Sequence, residues 1–163
     1  MRLEDINLAD EDLRLLSESE SFRRLHTLRL SSSNFDAACG ELLGLTPFRS
    51  LSHLYLNGTR LRSLGDEGIS RLLRNESLST LGVLELKRQN LTSAIIPQIL
   101  DSAIMDCAYR LDLRNNRIDD VGADILASTG PWPRLALLDL RGNQLSSQGR
   151  EKLRKTFGYR VVY

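Results

Sequence analysis

Two stretches of the chain decide its fold: Ala108-Tyr-Arg-Leu111-Asp-Leu113-Arg-Asn-Asn116-Arg-Ile118-Asp-Asp-Val-Gly122-Ala-Asp-Ile-Leu126 and Leu135-Ala-Leu-Leu138-Asp-Leu140-Arg-Gly-Asn143-Gln-Leu145-Ser-Ser-Gln-Gly149-Arg-Glu-Lys-Leu153. With the first residue of each as offset 0, both carry apolar residues at offsets 0, 3, 5, 10 and 18, asparagine at 8 and glycine at 14. Offsets 3 and 5 alternate with polar neighbours, the signature of a short strand with one buried face. The second half reads as helix. Asp119 or Asp120 can cap it in the first stretch and Ser146 or Ser147 in the second, because a short oxygen-bearing side chain accepts from the free N–H groups of the first turn. Glycine at offset 14 is expected to let the helix lie close over the strand layer.

The register extends upstream. Leu81, Leu84, Leu86 and Leu91 fit it, as do Leu51, Leu54, Leu56 and Leu61, then Leu25, Leu28, Leu30 and Phe35, and finally Leu3, Ile6, Leu8 and Leu13. Units therefore start near residues 3, 25, 51, 81, 108 and 135, with a truncated terminal unit from about 157. Three residues before the anchors stand Phe22, Phe48, Leu78, Met105 and Trp132, and offset 18 holds Leu43, Ile69, Ile99, Leu126 and Leu153. Offset 14 is Gly65, Gly122 and Gly149, with Cys39 and Ile95 in the other two full units. Leucine fills 33 of the 163 positions because one residue type recurs in the same slots.

The pattern Leu-x-x-Leu-x-Leu-x-x-Asn-x-Leu, followed by Gly and Leu in the helical half, resembles the leucine-rich repeat family and is similar to its ribonuclease-inhibitor-like subclass. The resemblance covers nearly the whole chain. It implies an α/β leucine-rich repeat solenoid, a right-handed β-α superhelix with a parallel sheet on the concave face and helices on the convex face. Residues 1–163 form a single domain on this reading, since no unit can bury its apolar face alone. The sequence departs from the family at offset 8, which is asparagine only in Asn116 and Asn143; Glu11, Ser33, Thr59 and Gln89 stand there upstream and are not equivalent. Less regular N-terminal turns are expected. The tail around Phe157, Gly158, Arg160 and Val161 faintly resembles the endings of some multi-repeat bacterial proteins. At the other end there is no separate polar cap. Either the first unit, with Glu4, Asp5, Asp10, Glu11 and Asp12, caps itself, or the chain is a piece of a longer one.

Composition bounds the function. With 41% apolar and 26% charged residues the chain has the makeup of a soluble globular protein. The formal net charge of +1 gives no case for nucleic acid or an anionic membrane. Neither a signal peptide nor an apolar run long enough to span a bilayer stands in the sequence, so a cytoplasmic location is the default expectation. Cys39 and Cys107 form no spaced motif and lie three strand spacings apart, at least about 14 Å, too far for a disulfide. Both are expected to be packed thiols.

On each strand, offsets 2, 4 and 6 point away from the core. From the second unit to the sixth, offset 2 is Thr27, His53, Val83, Arg110 and Leu137; offset 4 is Arg29, Tyr55, Glu85, Asp112 and Asp139; offset 6 is Ser31, Asn57, Lys87, Arg114 and Arg141. The first unit supplies Asp5, Asn7 and Ala9. An acidic column, Glu85-Asp112-Asp139, thus runs beside a basic one, Lys87-Arg114-Arg141. Two readings stay open: a solvated face of mutually cancelling ion pairs, or a docking surface for a partner of complementary charge. His53, Tyr55 and Asn57 make a polar-aromatic row of the residue types found at interface hot spots.

Catalytic signals are absent from the sequence. His26 and His53 have opposite strand parity, and no P-loop, dinucleotide turn or Ser-His-Asp pattern occurs. No catalytic residue, metal ligand or cofactor is expected. The function expected is a non-catalytic, monomeric scaffold that binds a protein through its concave face, not nucleic acid or membrane. The alternatives are a GTPase-regulating or other enzyme-modulating role, and a spacer within a longer chain.

Overall fold

The computed structural model describes residues 2–4, 10–31, 37–59 and 62–163. Strands and helices follow the chain as β1 (Arg2–Glu4), α1 (Asp10–Glu18), α2 (Glu20–Arg23), β2 (Thr27–Ser31), α3 (Ala37–Leu45), β3 (His53–Asn57), α4 (Gly65–Leu73), β4 (Val83–Lys87), α5 (Ile96–Asp101), β5 (Arg110–Asp112), α6 (Asp120–Thr129), β6 (Leu137–Asp139), α7 (Ser147–Phe157) and β7 (Val161–Val162). All strands join one parallel, open sheet in chain order. Ile6, Leu8, Phe35 and Leu61 of the repeat register, Ser33, and Asp5, Asn7 and Ala9 lie outside the described residues. So do the side chains of Leu3, Glu4, Asp10, Glu11, Leu13 and Ser31.

The strand columns pair as the repeat requires. Leu28, Leu54, Leu84, Leu111 and Leu138 are direct cross-strand partners in one buried row. They pack with Leu43, Ile69, Ile99, Leu126 and Leu153 of the offset-18 column in a single continuous core. Burying one such leucine is worth about 1.5–3 kcal/mol relative to leaving it in water. Phe22 and Phe48 extend the core, with ring centroids 5.7 Å apart. Met105 and Trp132, in the same pre-anchor column, are only partly buried. At the C-terminal end Phe157 is buried against Trp132 at 5.4 Å, and a short 3-10 turn then brings Val161 and Val162 beside Leu138 and Asp139 as a terminal strand.

Buried amides tie the turns of successive units. Asn116 Nδ2 donates to the carbonyls of Leu86 and Leu113 while its Oδ1 accepts from the N–H groups of Gln89 and Leu91. Asn143 repeats this with Leu113, Leu140 and Ile118. Gln89, expected not to be equivalent, does the same work: its Nε2 donates to Leu56 O and its Oε1 accepts from Leu64 N–H. The extra methylene lets glutamine reach what asparagine reaches in later units.

Helix starts bind the units together as well. Thr92, Asp119 and Ser146 each accept a first-turn N–H through the side chain, so of the paired candidates Asp119 and Ser146 are the caps. Each cap is also held by the preceding unit: Thr92 donates N–H and hydroxyl to Asp66, Ser93 donates its hydroxyl to Asp119, and Ser146 donates N–H and hydroxyl to Asp120. Of the offset-14 glycines, Gly122 and Gly149 serve this junction rather than helix-on-strand packing, which corrects the expectation. A Cβ on Gly122 would meet Ser93 Oγ and Ile118, one on Gly149 would meet the Asp120 carboxylate, and Gly65 has nothing near it but a φ of +64°.

Cys39 is buried as expected, but Cys107 is only half-buried, with its sulfur 3.5 Å from Arg134 Nη1. Cys107 sits in the turn just before its anchor, where less of the neighbouring units covers it. Neither cysteine is in a disulfide. Among the described residues no helix is long and apolar enough to cross a membrane.

Candidate binding face

The sheet face turned away from the helices carries the outward residues of β2 to β6, and they divide into an aromatic patch and a charged strip. In the patch, Tyr55 lies in the middle. The guanidinium of Arg29, its partner on β2, sits 3.9 Å above the Tyr55 ring centre, inside cation–π range. The His53 ring is stacked near it at 6.4 Å and 15°. Residues two apart on a strand share a face, which is why His53 and Tyr55 meet.

Tyr109 completes the patch, although offset 1 gave no reason to expect it there. Its hydroxyl is 3.2 Å from His53 Nε2 and its ring meets the His53 ring edge-on. Gly82 permits this, because a Cβ there would lie 2.6 Å from Tyr109 Cε1. The pairing of a glycine with an aromatic residue one unit later, both at offset 1, was the available sequence signal. Ser52 Oγ is 2.8 Å from His53 Nδ1 and 3.0 Å from His26 O, so each ring nitrogen of His53 has a hydroxyl within hydrogen-bond distance. Tyr109 remains 45% exposed, so the patch is fixed yet reachable.

The acidic column of the strip is not the solvated face of the first sequence reading. Glu85, Asp112 and Asp139 are not solvated: each is at most 3% exposed. The longer cations fold over them. Lys87 Nζ is 2.6 Å from Glu85 and 3.7 Å from Asp112; Arg110 reaches Asp112 at 3.5 Å and Glu85 at 4.0 Å. Arg114 takes Asp112 through Nε and Nη2 and also approaches Asp139 at 3.3 Å, while Arg141 takes Asp139 in the same two-pronged way. A short carboxylate beside a guanidinium two positions on is covered by it, which parity alone does not reveal.

This arrangement sets the ionisation of the strip. Burial pushes the Asp139 carboxyl up, but hydrogen bonds from the Arg141 side chain and backbone N–H and the charge of Arg114 outweigh it, leaving its pKa below the ordinary value. Arg114 and Arg141 are each held further in the charged form by the hydrogen bond to its own aspartate.

Of the nine residues singled out from the sequence, His53 and Tyr55 come together in the patch. Lys87, Glu85, Asp112, Arg114, Asp139 and Arg141 form the strip. Asn57 joins neither by a hydrogen bond, and its buried Oδ1 has no such partner among the described residues. Arg29, Arg110 and Tyr109 belong to the face but were not among the nine. Val83, whose offset sends it away from the core, is nevertheless buried. Among the described residues no group of three or more His, Cys, Asp or Glu side chains is placed to hold a metal ion. No protein-family model matches the chain, and no curated protein sequence matches it.

Proposed function

We propose that the chain is a leucine-rich repeat solenoid similar to the ribonuclease-inhibitor-like subclass, and that it is a non-catalytic scaffold binding a protein partner on the concave side of its sheet. The leucine register, the asparagine and glutamine ladder and the sequential parallel strands support the solenoid. The observation that carries the binding role is the Arg29–Tyr55–His53–Tyr109 cluster. Four side chains able to hydrogen-bond or stack are held together on a sheet face, where solvation alone needs no such order. His53 is joined to Tyr109 on one side and to the Ser52 hydroxyl on the other, which suits a rigid contact pad better than an acid–base pair. Affinity capture from native lysate tests this with the parent and Tyr55→Ala chains side by side. A protein retained by the parent and lost by the variant supports the reading, and equal retention by both removes it.

A further inference from the structure

The binding face is balanced in composition but not in what it offers to a partner. Its carboxylates are buried, whereas the side chains of Lys87, Arg110, Arg114 and Arg141 keep between 25% and 53% of their surface in solvent. Among the described residues, Nη1 of Arg114 and of Arg141 has no hydrogen-bond partner. The aspartates below hold each guanidinium in place and leave donors on it unused. Arg29 adds a further cation at the other end, over Tyr55.

Taking the docking reading as its basis, we propose that this face receives an acidic peptide segment of its partner. An apolar or aromatic residue of that segment rests on Tyr55 and Tyr109, and carboxylates beside it take the free donors of Arg110, Arg114 and Arg141. Guanidinium suits carboxylate, since its planar donor fork matches the two oxygens. The size fits too. From Arg29 on β2 to Arg141 beyond β6 is four strand spacings, about 19 Å, which an extended segment of about six residues spans.

Nucleic acid is the poorer occupant on electrostatic grounds. The three buried carboxylates lie directly under four cations, so the strip carries a net charge of only about +1 by that difference, and the whole chain is also +1. Phosphate-backbone binding depends on a strong positive field and many ion contacts. What remains here is short-range donation, which selects for carboxylates placed in contact.

The test is to pan a random twelve-residue peptide library against the whole chain and measure binding of the enriched peptides by fluorescence anisotropy. The expected peptides carry several Asp or Glu around an apolar residue. Converting their acids to amides should weaken binding at least about tenfold, the scale of one charge-assisted hydrogen bond. The Arg29→Gln/Arg141→Gln chain should show a similar loss. Both sites are partly solvent-exposed, and circular dichroism verifies that this variant folds. Backbone amide shifts in the unmodified protein give a readout free of mutation, with movement expected at Tyr55, Arg110, Arg114 and Arg141. Enrichment without an excess of acids, no enrichment at all, indifference to amidation, or tighter binding of a single-stranded DNA 20-mer would each overturn the acidic-segment proposal. If non-acidic peptides shift these same amides, docking on the sheet face stands and only the acidic class fails. If the shifts fall on α3 to α7, both readings fail.

Discussion

Arg114 grips the buried carboxylate of Asp112 from two residues along the chain, Nε donating to Oδ1 at 2.9 Å and Nη2 to Oδ2 at 2.7 Å. One unit later Arg141 holds Asp139 in the same way, at 3.0 and 2.6 Å. The aspartates therefore act as internal counter-ions that orient the cations above them. Replacing Arg114 by Gln removes the hydrogen-bonded cation from a carboxylate with no exposed surface, and should cost at most about 3 kcal/mol, the lower range for a buried pair broken on one side, because Arg110 and Lys87 still stand 3.5 and 3.7 Å away. The Asp112→Asn/Arg114→Gln pair should cost clearly less than the sum of the two single changes in urea melts. Simple additivity would mean the two groups are not coupled.

The depressed carboxyls give the protein an acid limit. Asp119 is lowered first by the Ser93 hydroxyl, helped by first-turn N–H groups, and Asp120 by Ser146, while Asp139 is lowered as described above. A carboxylate with a lower pKa folded than unfolded contributes stability above the unfolded value, near 4, and loses it as pH falls through the folded value. The melting temperature should therefore drop as pH falls below about 5 and through the lowered folded-state values. Asp139→Asn should melt lower than the parent at pH 7 and fall less over that acid range. Parallel curves for parent and variant would show that Asp139 is not part of the linkage.

How closely neighbouring units approach can be read from one glycine. A Cβ on Gly40 in α3 would run into the backbone carbonyl of Gly68 in α4, an obstacle that cannot rotate away. Gly40→Ala should cost about 1–3 kcal/mol, as overpacking does, even though alanine is the better helix former. A neutral or stabilising result in thermal melts would mean that α3 and α4 lie further apart.

The columns of leucine were legible because the same slot is filled in unit after unit, and repetition identifies a face without knowledge of its neighbours. Leu28 to Leu138 could thus be aligned across five strands from sequence alone. Exposure on the other face was not legible in this way. Parity sends Asp112 out of the core, but only the fold-back of Arg114 and the reach of Arg110 and Lys87 decide that it is buried. Tyr109 escaped notice for a similar reason, since its place depends on the space above Gly82. Gln89 was misjudged by residue type, although its longer amide meets the same backbone groups that an asparagine meets elsewhere.

The two thiols should separate in reactivity. Cys39 is 1% exposed, whereas Cys107 is half-buried beside Arg134. With a thiol-reactive dye, one equivalent per native chain should react quickly and the second only after denaturant, and Cys107→Ser should abolish the fast phase. Two fast equivalents would place Cys39 outside the core.

The partner's dissociation constant for three chains tests the account most directly: the parent, Tyr55→Ala on the sheet face, and Arg154→Ala on the exposed side of α7. Tyr55→Ala should weaken binding by more than about 1 kcal/mol, a factor of about five, because it removes the centre of the aromatic patch. Arg154→Ala should leave affinity unchanged, and circular dichroism should show all three chains folded. Equal affinity of the parent and Tyr55→Ala, or a loss confined to Arg154→Ala, would contradict binding through the sheet face.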